Sequence, residues 1–174
     1  MEFTEVVRNR YSCKNFDAGK AVDAAKLTEI LEAGRVAPTA KNFQEQKIYV
    51  IQSAEGLAKI DKATPCRYNA PTCLVVAFDR TNVFTYPGGR RDSGVEDATI
   101  VATHMILAAA NAGVDSCWVN FFGSGAAGKR AGPARKRRDP DDHGSGPCRT
   151  GRWTAAEPWL PQAACGYGSI SVIG

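Results

Sequence analysis

The chain has 174 residues, of which 44% are hydrophobic, so it can bury one core but is short for two ordinary domains. Its apolar runs, such as residues 73–78, are too short to cross a bilayer, and acidic residues 2 and 5 stand where a signal peptide would be basic. We therefore expect a cytoplasmic protein without a membrane partner. The net charge is +4, and the whole excess follows residue 122, where eight basic residues accompany four acidic ones.

The first 122 residues alternate between helical and strand patterns, which predicts an α+β fold. Residues 3–9 form a short amphipathic pattern. Asp23 can cap a second helix, which we expect to end at Gly34. Apolar, β-branched stretches predict strands over residues 48–51 and 73–78, with a short helix between them around residues 57–60.

A long helix is predicted after residue 92. The pattern Ser93-Gly-Val-Glu96 indicates a capping box, and the apolar spacing continues to Gly113, which places His104 on the buried side as a packed core residue. A strand over residues 116–120 follows. The six cysteines form no C-x-x-C pair and the chain has two histidines, so we expect reduced, mostly buried thiols and no metal site.

Three side chains that can donate hydrogen bonds stand at every second position near the N-terminus. Arg10, Ser12 and Lys14 are spaced by two residues, so an extended backbone would point all three to one side, where they would suit a phosphate. The alternative is that Arg10 and Lys14 are solvated charges at a helix end, as most isolated basic pairs are.

Four separate blocks resemble the nitroreductase family of flavin enzymes. They are residues 10–16 (RYSCKNF), 37–44 (APTAKNFQ), 92–105 and 112–119. The resemblance covers about residues 1–122. It implies a three-layer α/β/α sandwich around a mixed sheet, with block 92–105 as the central helix of a homodimer.

The resemblance also implies a cofactor and an activity. FMN would be held at its phosphate and ribityl chain by the first block, whereas the second block would lie against the flavin of the partner subunit. Hydride would pass from NAD(P)H to a flat small-molecule acceptor such as a quinone or a nitroaromatic, without a catalytic side chain. Glu45 stands where the family usually has proline. The predicted cofactor-binding residues are Arg10, Ser12, Lys14, Pro38, Thr39, Asn42 and Asn120.

The tail departs from the family. Residues 123–174 hold ten of the 17 glycines, five of the nine prolines and only four Leu, Ile or Val residues. We predict an FMN-binding domain over 1–122, truncated because its C-terminal strand is missing or replaced by an irregular basic tail over 123–174. Possible codons for the tail, read one nucleotide later, yield family-like sequence and a stop after residue 172. This favours a frameshift near Phe122 or Gly123.

Two alternatives remain at this point. The chain could be an inactive truncated remnant of a flavin enzyme. The run of basic residues at 135–138 could instead bind nucleic acid, but it has no interleaved aromatic residues and the frameshift explains it without a function, so we expect no nucleic-acid partner.

Overall fold

The computed structural model describes residues 2–122 and the backbone of residues 165–173. A short 3-10 turn covers Ala40–Asn42. In chain order the helices and strands are α1 (Phe3–Asn9), α2 (Ala24–Arg35), β1 (Gln46–Ile51), α3 (Ala54–Ala63), β2 (Thr72–Asp79), α4 (Gly94–Asn111), β3 (Ser116–Val119) and β4 (Cys165–Ile173).

The four strands form one sheet in the order β1-β2-β4-β3. All three strand pairs are antiparallel, and β2 carries an irregularity between Val76 and Ala77 where it pairs with β4. The only parallel contact among the described residues is an isolated bridge between Ser12 and Ser116, which ties the segment after α1 to the start of β3.

Strand β2 separates two apolar cores because its side chains alternate between the faces of the sheet. Leu74, Val76 and Phe78 pack with buried residues of α2 and α4, whereas Cys73 and Val75 pack on the other face with Ile60 of α3 and with the segment after α1. Helices therefore cover both faces. The predicted three-layer α/β/α sandwich is confirmed.

The prediction for the C-terminal strand is wrong at residues 165–173. Their backbone forms β4 and pairs with β2 on one side and β3 on the other. The physical reason is that both neighbouring strands present backbone donors and acceptors that need partners, and β-branched residues 170, 172 and 173 favour extended structure. The rest of the predicted irregular tail, residues 123–164 and 174, lies outside the described residues.

Asp23 caps α2 as predicted, by accepting hydrogen bonds from the backbone N–H groups of residues 25 and 26. Gly34 does not end this helix, which continues to Arg35. A Cβ atom at Gly34 would lie 2.8 Å from Met105 Sδ, so this glycine allows α2 to approach α4 closely. Its role is in packing.

Two predictions about α4 are wrong. Ser93 precedes the helix but makes no capping bond; its Oγ instead accepts a hydrogen bond from Phe84 N–H at 3.3 Å. Glu96, the other half of the expected capping box, accepts hydrogen bonds from Tyr86 and Arg91. His104 is exposed, because α2 and the sheet cover a different face of α4.

Candidate functional site

The segment that carries the predicted phosphate donors is extended and anchored to β3. Cys13 N–H donates to the carbonyl of Ser116 at 3.0 Å, and the Cys13 side chain is buried. Ser12 and Lys14, on either side of it, are exposed. The backbone therefore turns the hydroxyl and the ammonium toward solvent while the thiol between them joins the core.

Ser12 and Lys14 both influence Cys117 on β3. Burial raises the pKa of the Cys117 thiol, while the charge of Lys14 and a hydrogen bond from Ser12 oppose this effect. A thiol is a weak acceptor and Lys14 acts on it only through its charge, so most of the donor capacity of these two side chains is unused. Two of the three predicted phosphate donors therefore influence the same thiol.

Arg10 lies at the end of α1 and lines a cleft of about 70 Å³ between that helix and the C-terminal end of α4. In the same cleft the Tyr11 hydroxyl donates to Asp115 Oδ2 at 2.9 Å, which raises the pKa of Tyr11 to about 12. A cleft this small cannot enclose a cofactor, since small-molecule pockets usually exceed about 300 Å³. Any cofactor here would bind along an open surface.

Arg10 and Lys14 have no carboxylate partner among residues 2–122. Two cations four residues apart, with a hydroxyl between them, form a positive site that no carboxylate of residues 2–122 neutralises. Charge-assisted hydrogen bonds to a phosphate would satisfy this donor set. The residues present therefore fit the phosphate end of FMN.

The second predicted segment forms a tight loop. Gln44 N–H donates to Thr39 Oγ1 at 3.0 Å, and the Gln44 side-chain amide donates to Asn42 Oδ1 at 2.9 Å. Lys41, Asn42 and Gln44 have φ values of 56°, 55° and 53°. Left-handed backbone at three non-glycine residues is costly and is typical of functional loops. Pro38 and Asn42 are exposed here, and Thr39 is half-buried.

Asp97 fastens this loop to α4. Its Oδ1 accepts a hydrogen bond from Ala40 N–H at 2.9 Å, and its side chain is buried in the first turn of the helix. The sequence interpretation missed this role, although an acidic residue in a first helical turn was a visible signal. It noted Glu45 only as a departure from the family, whereas the structure buries that side chain beside Asp97.

Asn120, the last predicted site residue, follows β3. Its side chain is exposed and its Oδ1 accepts a hydrogen bond from Trp118 Nε1 at 2.7 Å. The next residue, Phe121, is 73% exposed and its carbonyl accepts a hydrogen bond from Thr64 Oγ1. The end of β3 thus presents an amide and an aromatic ring to solvent.

The two predicted segments lie at opposite ends of α4. Asp97 holds the loop of residues 39–44 at the first turn, whereas Ala110 faces the cleft of Arg10 near the last turn. Thirteen residues of helix separate these contacts, which corresponds to about 20 Å. One chain therefore does not bring the two predicted halves of the flavin site together.

The Nitroreductase family model matches residues 7–67 and 65–131, which is most of the chain. The chain belongs to the nitroreductase family. A curated relative, "Putative NAD(P)H nitroreductase YdgI" of Bacillus subtilis (strain 168), is 36% identical over 59 residues, and this match spans 34% of the chain and 28% of the relative.

Solved nitroreductase structures share this fold, in matches that cover 100% of this chain. A nitroreductase family protein from Clostridium difficile 630 is 30% identical with a TM-score of 0.78, and the chain covers 84% of it. A nitroreductase with bound FMN from Bacteroides fragilis NCTC 9343 is 20% identical with a TM-score of 0.65, and the chain covers 88% of it.

Two kinds of feature are absent from the part of the chain that the structure describes. No helix there is long and apolar enough to cross a membrane. No group of three or more His, Cys, Asp or Glu side chains there is arranged to hold a metal ion.

Proposed function

We propose that this chain is an FMN-dependent oxidoreductase that passes hydride from NAD(P)H to a flat acceptor such as a quinone or a nitroaromatic. The observation that carries the proposal is the donor set of Arg10, Ser12 and Lys14 on an extended segment fixed to β3, where neither cation has a carboxylate partner among residues 2–122. The bound FMN reported for the Bacteroides fragilis relative and the NAD(P)H in the name of the Bacillus relative support it.

Each residue of the site has a role in binding. Arg10 and Lys14 would offset the phosphate charge, and Ser12 would donate a hydrogen bond to it. Pro38, Thr39 and Asn42 would lie against the ring system, and Asn120 would stand beside its reactive edge. FMN supplies the hydride chemistry when bound, so the protein needs no nucleophile of its own.

The proposal includes a cytoplasmic homodimer. The separation of about 20 Å between the two segments along α4 supports this, because a second copy would supply the loop of residues 39–44 that one chain holds too far from its own Arg10. The exposed side chains of Val95, Ile100 and His104 on α4 are available for contact with that copy.

An absorbance spectrum of the purified protein is the first test. We expect flavin bands that stay with the protein through gel filtration. In the double variant Arg10→Ala/Lys14→Ala, the loss of two charge-assisted bonds of about 1.5–3 kcal/mol each should weaken FMN affinity at least ~100-fold. The matched control is Arg8→Ala/Lys20→Ala, which removes the same charge from exposed positions outside the site. Equal flavin content in the two double variants would refute the assignment.

Steady-state kinetics test the reaction. NAD(P)H and the acceptor would bind alternately at one site, as in a ping-pong mechanism. Double-reciprocal plots of the initial rate against NAD(P)H concentration, at several fixed acceptor concentrations, should therefore be parallel lines. Lines that intersect would contradict alternating use of one site.

A colourless protein would favour the alternative, an inactive remnant. The proposed frameshift near Phe122 bears on this, because a family-like C-terminal segment would replace residues 123–174 in the restored frame. Sequencing the gene around the Phe122 codon tests the frameshift directly, and an unchanged reading frame would rule it out.

A further inference from the structure

Two buried carboxyl groups face each other beneath the loop of residues 39–44. Glu45 links the loop to β1, Asp97 lies in the first turn of α4, and each is only 3% exposed. No hydrogen-bond partner among the described residues is positioned for Glu45 Oε1, Glu45 Oε2 or Asp97 Oδ2. Two adjacent buried carboxylates cannot both be ionised without a large cost in free energy.

We propose that Glu45 and Asp97 share one proton, and that this shared proton holds the loop of residues 39–44 closed against α4. A protonated Glu45 donates its O–H to Asp97 Oδ2, which gives each of these groups a partner. Asp97 keeps its Oδ1 as the acceptor for Ala40 N–H. The pair therefore positions the loop.

The proton belongs on Glu45 for two reasons. Asp97 Oδ1 already accepts a backbone hydrogen bond, and its carboxyl group lies at the N-terminal end of a helix, where an acceptor is better placed than a donor. Glu45 lies outside a helix, and although a contact with its own backbone N–H lowers its pKa, the larger effects raise it. Its burial raises its pKa to about 7, with a further contribution from Asp97. The Ser93 hydroxyl approaches Glu45 and opposes the shift, although it is not placed for a well-formed hydrogen bond.

The other charged groups around the pair are already engaged. Asp79, whose backbone N–H donates to the Glu45 carbonyl, forms an ion pair with Lys47 of β1 at 3.9 Å. Glu96, next to Asp97, is bound by Arg91 and Tyr86, and Asp97 contributes to the raised pKa of Tyr86. Lys41 Nζ lies 5.9 Å from the centre of the Phe84 ring. None of these cations is placed to neutralise Glu45.

The sign of the pH dependence follows from linkage. The pKa of Glu45 is raised above its ordinary value of 4.5 when the loop is closed, so the closed state binds more protons than an open state in which Glu45 meets water. The stability of the closed loop is full below pH 4.5 and is lost as pH rises toward 7. Above pH 7 both states are ionised and no further loss occurs.

Hydrogen exchange of the Ala40 amide tests the proposal on the apoprotein. The matched control is Glu45→Gln, whose side-chain N–H donates to Asp97 Oδ2 at every pH. The ratio of the wild-type rate to the Glu45→Gln rate cancels the intrinsic pH dependence of exchange. We expect this ratio to rise about 20-fold between pH 5.5 and 7.5, while the ratio for core amides of α3 stays constant. A ratio for Ala40 that stays within about twofold would overturn the proposal.

Infrared spectroscopy gives a second readout that does not depend on the variant folding. The wild-type protein should show the carbonyl stretch of a buried, protonated carboxylic acid at pH 6, and this band should disappear with a midpoint near pH 7. A spectrum at pH 6 that contains only carboxylate bands would also overturn the proposal.

In its closed state the loop would present Thr39 and Asn42 to the flavin, and this consequence rests on the function proposed above. The two ideas fail separately. A colourless protein would refute the flavin site and leave the exchange measurement intact, whereas a flat exchange ratio in a flavin-binding protein would refute only the shared proton.

Discussion

Gly94 is the first residue of α4, and its replacement by alanine tests how tightly this helix is pressed onto the sheet. A Cβ atom there would lie 2.1, 2.3 and 2.7 Å from three carbons of the Phe78 ring, which is itself 2% exposed. Ordinary carbon contacts begin near 3.5 Å, so the helix must move away by about 1.4 Å or the ring must leave its rotamer. Overpacking of this kind costs about 1–3 kcal/mol.

An opposing effect must be subtracted. Alanine is the better helix former by up to about 1 kcal/mol, although this gain is smaller at a helix end than in the interior. We therefore expect Gly94→Ala to lower the free energy of unfolding by about 1–2 kcal/mol and Tm by roughly 2–8 °C. Urea denaturation followed by circular dichroism measures this change in the free energy of unfolding. The control is Gly19→Ala, where a Cβ atom would meet nothing closer than 3.4 Å. Equal stability of Gly94→Ala and the wild type would refute the close packing.

Two further predictions concern the same fold. Asp23→Ala should cost about 1 kcal/mol because α2 loses its N-cap, and Asp23→Asn should restore most of it; equal stability of both variants in urea would contradict the capping role. Burial raises the pKa of the Cys73 thiol to about 12, so alkylation at pH 8 should modify half-buried Cys66 well before Cys73, as peptide mass mapping would detect. Modification of Cys73 first would contradict its burial.

Local patterns were sufficient to predict much of the fold. The extent of α1, the cap at Asp23 and the strands around residues 48–51 and 73–78 depend on neighbours in sequence. Ser93 and Glu96 were expected to form the capping box, but they accept hydrogen bonds from Phe84 N–H and the Tyr86 hydroxyl instead. The sequence could not show this, because both contacts are tertiary. The error at residues 165–173 has the same origin, since a short stretch that follows many glycines and prolines forms a strand here between two others that are distant in sequence.

For the candidate site, the two-residue spacing predicted that Ser12 and Lys14 share one side of an extended segment, and both are exposed there; their role in binding stays a prediction. The role of Asp97 and the burial of Glu45 depend on a loop folding back onto a helix more than 50 residues later, which no local pattern reveals. The exposure of His104 likewise depends on which face of α4 is covered.

The position of β4 constrains the order in which this protein can fold. Strands β2 and β3 are neighbours in the finished sheet only through β4, which follows β3 after about 45 residues, and closing a loop of that length costs about 3 kcal/mol in chain entropy. Strands β1 and β2 can pair early during synthesis, but one edge of β2 stays open until residues 165–173 have left the ribosome. In that interval the bare edge can accept a strand from another nascent chain, so misassembly should compete with folding at high expression rates.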